Sequence, residues 1–264
     1  TLKSDNGCIN NGTYKVSVLE HPVAAAAINN ADSCFNYNYF DFTSNGSKAV
    51  PGSSIASYAW LFGNGASPSS SSNAMPSGVF YNTEGQKFIS LIIKDMNTCS
   101  DSFDLQAGVY PSPVVKFGLH ASTPNQEQCF NGNSYKFENK STIKSGVVKY
   151  SWDFGDGTGS TLFNPPNKTY SKAGIYRVKL TAISDVNCSE VSAFDVVVLP
   201  SPKADFTTNS ICTTSYSILF KDASILTTGK INSYSWNFGD GNGSKSNNPS
   251  HTYSYAGSYL CTLE

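Results

Sequence analysis

Residues Tyr150–Gly157 read YSWDFGDG, and Tyr234–Gly241 read YSWNFGDG. Tyr58–Gly65, YAWLFGNG, keeps the same frame with Leu61 and Asn64 where the second copy has Asp153 and Asp156. Within the box, an aromatic, one intervening residue and a second aromatic put both rings on one face of a strand. The following Gly-Asp-Gly supplies the positive φ of a tight turn. The box residues are Trp60, Phe62, Gly63 and Gly65; then Trp152, Phe154, Gly155, Asp156 and Gly157; then Trp236, Phe238, Gly239, Asp240 and Gly241.

Working outward, the frame extends in both directions. The tryptophans lie 92 and 84 residues apart. Downstream comes a tyrosine, three residues and a glycine: Tyr81/Gly85, Tyr170/Gly174 and Tyr253/Gly257. Upstream stand Phe42, Phe137 and Phe220, and eight residues before each is a cysteine, Cys34, Cys129 and Cys212. Such self-similarity is the signature of a repeat architecture. After Gly174, Tyr176, Val178 and Leu180 alternate with Arg177 and Lys179, and Phe194, Val196 and Val198 repeat the alternation. Short period-two runs between Gly, Asn, Ser and Pro clusters predict antiparallel sandwiches. No sustained helical period is present.

Residues 1–22 match Thr181–Pro202 without a gap, with Thr1, Ser4, Asp5, Cys8, Val16, Val18, Leu19 and Pro22 recurring 180 positions later. The expected organisation is therefore the last hairpin of one repeat over 1–21, a repeat with a degenerate box over 22–110, a second over 111–199, and a third, truncated before its last strand, over 200–264. An isolated terminal hairpin cannot bury its own apolar face, which predicts further repeats on both sides. The joints His21-Pro22, Tyr110–Pro113 and Leu199–Pro202 are short and proline-stiffened. That favours a semi-rigid rod over a flexible string.

The bulk numbers exclude several classes. The chain has 264 residues, 39% hydrophobic, 13% aromatic and only 14% charged, with a net charge of -1. It can bury a core, so disorder is not expected. Nucleic acid is excluded as a partner, because phosphate binding relies on clustered Lys and Arg and Arg177 is the single arginine. No apolar run is long enough to span a membrane, and no signal peptide is present in this stretch.

The W-[DN]-F-G-D-G box, the Asn164-Pro165 and Asn248-Pro249 pairs before a tyrosine, and the G-x-Y-x-V-x-L strand resemble the polycystic-kidney-disease (PKD) domain. The resemblance implies an all-β fold of tandem immunoglobulin-like, seven-stranded sandwiches arranged end to end. It also implies an extracellular role as spacer, adhesion or carbohydrate-contacting module. The Asn, Ser, Thr and Lys bias, with a cysteine in each Asp-x-Asn turn, resembles tandem arrays of giant Bacteroidota surface proteins, including gliding adhesins exported by type IX secretion. The expected function is a non-enzymatic structural and adhesive stalk at the bacterial surface. Its partners would be neighbouring repeats, surface glycans or proteins, or the secretion and anchoring machinery. The rivals are an accessory region of a secreted hydrolase, with Tyr37, Tyr39 and Tyr58 as glycan-stacking candidates, and a passive spacer or exported cargo.

No site chemistry is expected. Asp153 and Asp156 invite a calcium reading, but such a site needs several convergent oxygens, and the first copy lacks both acids. His21, His120 and His251 fall at different frame positions, and no HExxH, GxSxG or P-loop frame exists. No catalytic residue, metal or cofactor is assigned.

The cysteines carry more. Cys8, Cys99 and Cys188 share a place between the last two strands, and Cys34, Cys129 and Cys212 share one between the first two. In an exported β array this regularity predicts disulfides. In an immunoglobulin-like repeat these two places lie at opposite ends, about 25 Å apart along a strand of some 8 residues at ~3.3 Å each. A disulfide needs Cα atoms within about 7 Å. Cys34–Cys188, between repeats, is therefore favoured over Cys34–Cys99 and Cys129–Cys188 within repeats. Cys261 aligns with the inward Val178 and is expected to be a buried free thiol.

Overall fold

The computed structural model describes residues 1–123, 125–209 and 215–264. Among them the regular elements are all β-strands apart from one 3-10 turn at Phe35–Tyr37. The alternation seen in the sequence is realised as alternating burial. In the strand Gly174–Ser184, Val178, Leu180 and Ala182 are buried while Arg177, Lys179 and Ile183 face solvent. The rings of each box go the same way: Trp60, Phe62, Trp152, Phe154, Trp236 and Phe238 are all buried.

Three separate apolar cores follow the three copies of the frame. One joins residues between Ala24 and Val109, one between Tyr135 and Val198, and one between Phe220 and Tyr253. The backbone divides into two compact units. The first holds Thr1–Val114 with Ile143–Val148 and Ile183–Glu190, and the second holds Val115–Thr142, Lys149–Ala182 and Val191–Glu264.

In the first unit, a five-stranded sheet runs in the order Asp32–Cys34, Ser100–Tyr110, Gly85–Asp95, Ile55–Leu61, Ser70–Ser71. The three strands Tyr39–Phe40, Val79–Tyr81 and Ala66–Ser67 form a second sheet, and Ala27–Ile28 pairs with Phe42–Thr43. Asp32–Cys34 is parallel to Ser100–Tyr110, with Cys34 level with Tyr110. Leu2–Lys3 and Ile9–Asn10 make a hairpin of their own, whose following residues 11–20 pair with nothing and are exposed.

The second unit repeats the pattern once in full. Its larger sheet runs Glu127–Cys129, Ser189–Leu199, Gly174–Ser184, Val148–Asp153, Gly159–Ser160, and Cys129 is level with Leu199. The third copy contributes Phe206–Thr208, Ser217–Asp222 and Ser250–Thr252 as one sheet, and Gly243–Ser244, Trp236–Asn237 and Thr262–Leu263 as the other. Cys34 and Cys129 thus close short strands rather than lying in an open turn. Pairing with the last strand of each repeat satisfies their backbone groups. Cys212 lies outside the described residues.

Candidate functional site: the acidic turn and the cysteine joint

The acidic box is a turn held by its own side chains. Gly155 has φ 77°, and a Cβ there would stand 2.8 Å from the carbonyl oxygen of Arg177. The Gly155 N–H donates to Asp153 Oδ1 at 2.9 Å, and the Thr158 N–H and hydroxyl both donate to Asp156 Oδ1, at 3.1 and 2.6 Å. The other oxygen of Asp156 lies 2.6 Å from Lys168 Nζ. That ammonium also sits over the rings of Phe154 and Tyr170, at 5.5 and 5.1 Å. Burial pushes the Asp156 carboxyl up, but the hydrogen bonds from Lys168 and Thr158 outweigh it and hold the group below the usual carboxylate range.

Asp153 and Asp156, the two acids weighed for calcium, each have a lysine of the chain beside them. Asp156 faces the Lys168 ammonium and Asp153 faces Lys179 Nζ at 3.8 Å, so cations of the chain already neutralise both acids. Among the described residues, no group of three or more His, Cys, Asp or Glu side chains could hold a metal ion.

The third copy builds the same turn with a histidine in the lysine's place. His251 Nε2 lies 2.7 Å from Asp240 Oδ2, and the imidazole stacks on Phe238 at 4.3 Å and 5°. In the first copy the same frame positions hold Val79, fully buried, and Asn64, neither of which is ionisable. Below each turn the tyrosine hydroxyl donates to the box carbonyl: Tyr81 to Phe62, Tyr170 to Phe154 and Tyr253 to Phe238, at 2.9 to 3.0 Å. Burial pushes the Tyr81 phenol up to about 12 and the other two upward as well, so all three stay protonated donors.

One pair of residues escaped the sequence reading. Asn38 and Asn133 are buried and hold the cysteine-bearing segment to the tyrosine strand. Asn38 donates to the Phe35 and Tyr81 carbonyls, Asn133 to those of Phe130 and Tyr170, and each accepts the N–H of its tyrosine. The signal was present as Cys-Phe-Asn-x-Asn, Cys34–Asn38 and Cys129–Asn133.

Within the first unit, Cys34 and Cys188 are disulfide-bonded, with S–S 2.06 Å and Cα atoms 5.5 Å apart. This rules out Cys34–Cys99 and Cys129–Cys188. The reason is strand length: Cys34 is level with Tyr110, Cys99 adjoins Ser100, and the ten residues between them rise about 33 Å. Around the bond, Asn36 Nδ2 donates to Glu190 Oε1 at 2.5 Å, and Lys144 Nζ lies 2.6 Å from Glu84 Oε2. Cys8, Cys99, Cys129 and Cys261 are free. Cys261 is half-buried rather than buried, with its sulfur 3.2 Å from the Tyr253 hydroxyl. Of the glycan-stacking candidates, Tyr37 and Tyr39 are exposed, whereas Tyr58 packs against the first core. Tyr39 lies beside Phe80 at 6.1 Å.

These features define a chain of tandem immunoglobulin-like β-sandwiches, each pinned by a tryptophan, a tyrosine and a tight glycine turn. A family model described as PKD domain matches residues 112–198 and 200–264, and the chain belongs to that family. It is similar to the PKD1 domain of the Vibrio cholerae metalloprotease PrtV at 32% identity, over 33% of this chain and 96% of that one, with a TM-score of 0.28. It is also similar to the PKD1 domain of Vibrio anguillarum Epp, at 30% identity over 33% and 93%, TM-score 0.28. A Ca2+-stabilized adhesin that helps an Antarctic bacterium reach out and bind ice is similar at 8% identity over 88% and 66%, TM-score 0.29.

Proposed function

We propose that this chain is a non-enzymatic structural and adhesive repeat region of a large bacterial surface protein. It would act outside the cell as a semi-rigid stalk, in the manner of Bacteroidota adhesins exported by type IX secretion. The observation that carries the reading is the Cys34–Cys188 bond, which ties the start of one repeat to the last hairpin of the next. A bond there, flanked by Asn36–Glu190 and Lys144–Glu84, resists bending at a joint. A stalk needs that, whereas a catalytic cleft does not. PKD membership and the disulfide support a place outside the cytoplasm.

Small-angle scattering of the chain with and without reductant tests the stalk. A maximum dimension that is well defined when oxidised and broadens on reduction supports it. A profile that is compact in both states, or unchanged by reduction, sinks it. A second reading, contact with glycans, is favoured by the exposed Tyr37, Tyr39 and Phe80. Stacking of planar rings on sugars would then show as retardation in affinity gels cast with polysaccharide, lost on Tyr39→Ala.

A further inference from the structure

The second repeat has a repeat on either side of it in this chain, yet the outer face of its larger sheet stays open to solvent and is charged at its centre. Arg177 Nη1 lies 3.1 Å from Asp195 Oδ1, and Lys179 Nζ lies 3.8 Å from Asp153 Oδ2. Counting from the tryptophan, glycine and cysteine that the repeats share, the same four places in the first repeat hold Phe88, Gln106, Ser90 and Leu61. Both members of each ion pair are replaced, and none of the replacements is ionisable.

In the first repeat these side chains belong to one patch. Phe88 stands opposite Gln106, Leu61 opposite Ser90 and Ile92 opposite Ala59. Leu61 is therefore the diagonal neighbour of both Phe88 and Ile92 across the strand pair. Phe88, Leu61 and Ile92 are 65%, 51% and 37% exposed, and Ala59 is exposed beside them. Among the described residues, Lys94 and Asp104 are the charged side chains left on this face, one of each sign. The second repeat is turned inside out. Its exposed aliphatics, Ile175, Ile183 and Val191, stand around the charged centre, at places where the first repeat has Gln86, Lys94 and Ser102.

We propose that this face of the first repeat docks on the same face of a second copy of the chain, sheet against sheet. The pattern of replacement identifies the occupant. A charged partner would be met by keeping one member of an ion pair, whereas losing both suits a surface that is itself uncharged. An isologous contact sets a surface against itself, so near its two-fold axis each charge meets its own sign. The face of the second repeat sets Lys149, Arg177 and Lys179 against Asp153 and Asp195, three cations to two carboxylates, and cannot pair in this way without burying them. The apolar centre of the first repeat can. Two twisted sheets pack about 10 Å apart with their strands within about 30°, which takes Phe88 and Leu61 of each copy out of water. The sandwich itself does not require these two residues, because the second repeat builds the same sheet with Arg177 and Asp153 in their places. Lateral pairing goes beyond the stalk reading and stands whether or not the parent is an adhesin.

The full chain, with its free thiols alkylated so that no new disulfide can link two copies, is followed by sedimentation equilibrium over a concentration series. The expected result is a reversible equilibrium between monomer and dimer. Leu61→Asp and Phe88→Arg, each made alone, put back the residue that the second repeat carries. Each should weaken the dimer by about tenfold or more, because an unpaired charge would be buried at the contact. Both residues occur at these places in a folded sister repeat, so the thermal melt of each variant at low concentration should stay close to the parent's. Ile175→Ser, on the same face of the second repeat, should leave the dimer unchanged. A dimer undiminished by either charged variant, or weakened equally by Ile175→Ser, would overturn the proposal. So would a chain that stays monomeric at every concentration, and Phe88-dependent retardation in a polysaccharide gel would then give the face to a glycan.

Discussion

His251 in the third repeat occupies the place that Lys168 holds in the second, and each lies against the aspartate of its glycine turn, Asp240 and Asp156. The exchange keeps the packing over the box phenylalanine, since the imidazole stacks on Phe238 and the ammonium sits over Phe154. Two repeats with one architecture therefore hold the same turn by different chemistry.

The pH response of the third repeat follows from that pair. Burial pushes the Asp240 carboxyl up, but hydrogen bonds from His251 and Asn242 overcome it and bring the group down to about 2, from an ordinary 3.8. A carboxyl depressed in the folded state contributes stability above its unfolded value and loses it as the pH falls toward the folded one. The contribution is thus whole above about pH 4 and gone near pH 2. Asp240→Asn should melt below the parent at pH 6 by differential scanning calorimetry, and the deficit should vanish as the pH approaches 2. A deficit that is independent of pH would exclude the pair as its source.

The three tryptophans should not respond alike to Phe. Trp152 Nε1 donates to the Leu162 carbonyl at 2.9 Å and Trp236 Nε1 to that of Ser246 at 2.8 Å, whereas Trp60 Nε1 is buried with no partner. Trp152→Phe loses a hydrogen bond and leaves an orphaned carbonyl, worth about 1 kcal/mol or more, which Trp60→Phe does not lose. Urea unfolding should therefore rank Trp152→Phe as the costlier. Trp152→Ala, which empties a core site, should cost about 3–5 kcal/mol.

Glycine at the box turn is required for two different reasons. At Gly157, φ is 83° with nothing within 4 Å of an added Cβ, so Gly157→Ala carries only the left-handed backbone penalty of roughly 1–2 kcal/mol. At Gly155 a Cβ would also meet the Arg177 backbone at 2.8 to 3.2 Å. Gly155→Ala should be clearly the more destabilising by thermal melt, and equal effects would contradict the close approach.

Serine at Cys34 should reduce the denaturant resistance of the oxidised chain by about 2–4 kcal/mol, and serine at Cys188 by the same amount. The double variant should lose no more than either single one, because the bond needs both sulfurs. Additive losses would mean that each thiol acts through separate packing.

Much of this was legible in the residues. Val178 and Leu180 alternate with Arg177 and Lys179, Val196 and Val198 keep the same two-residue spacing, and all four are buried. Phe62, Phe154 and Phe238 go into cores because each stands two residues from a tryptophan already facing inward. Other features were not legible. The serine-rich loop after Trp60 gave no hint that it would leave the indole N–H unpartnered, since that depends on where a loop carbonyl comes to rest. Asn38 and Asn133 looked like two more residues of an asparagine-rich chain. Only the strand carrying Tyr81 or Tyr170, 37 or more positions away, gives them partners.

The sequence by itself determined the repeat, its β periodicity, the inward rings and the glycine turns, because these depend on neighbours a few residues apart. It also narrowed the cysteines to two recurring places. Only the tertiary structure decided which sulfurs meet, since Cys34 and Cys188 are 154 residues apart and their approach depends on strand direction and length. It likewise decided that Lys168 and His251 come to lie against the acids of the turn, Asp156 and Asp240. Long-range pairing is a matter of register between strands, and no local pattern encodes that.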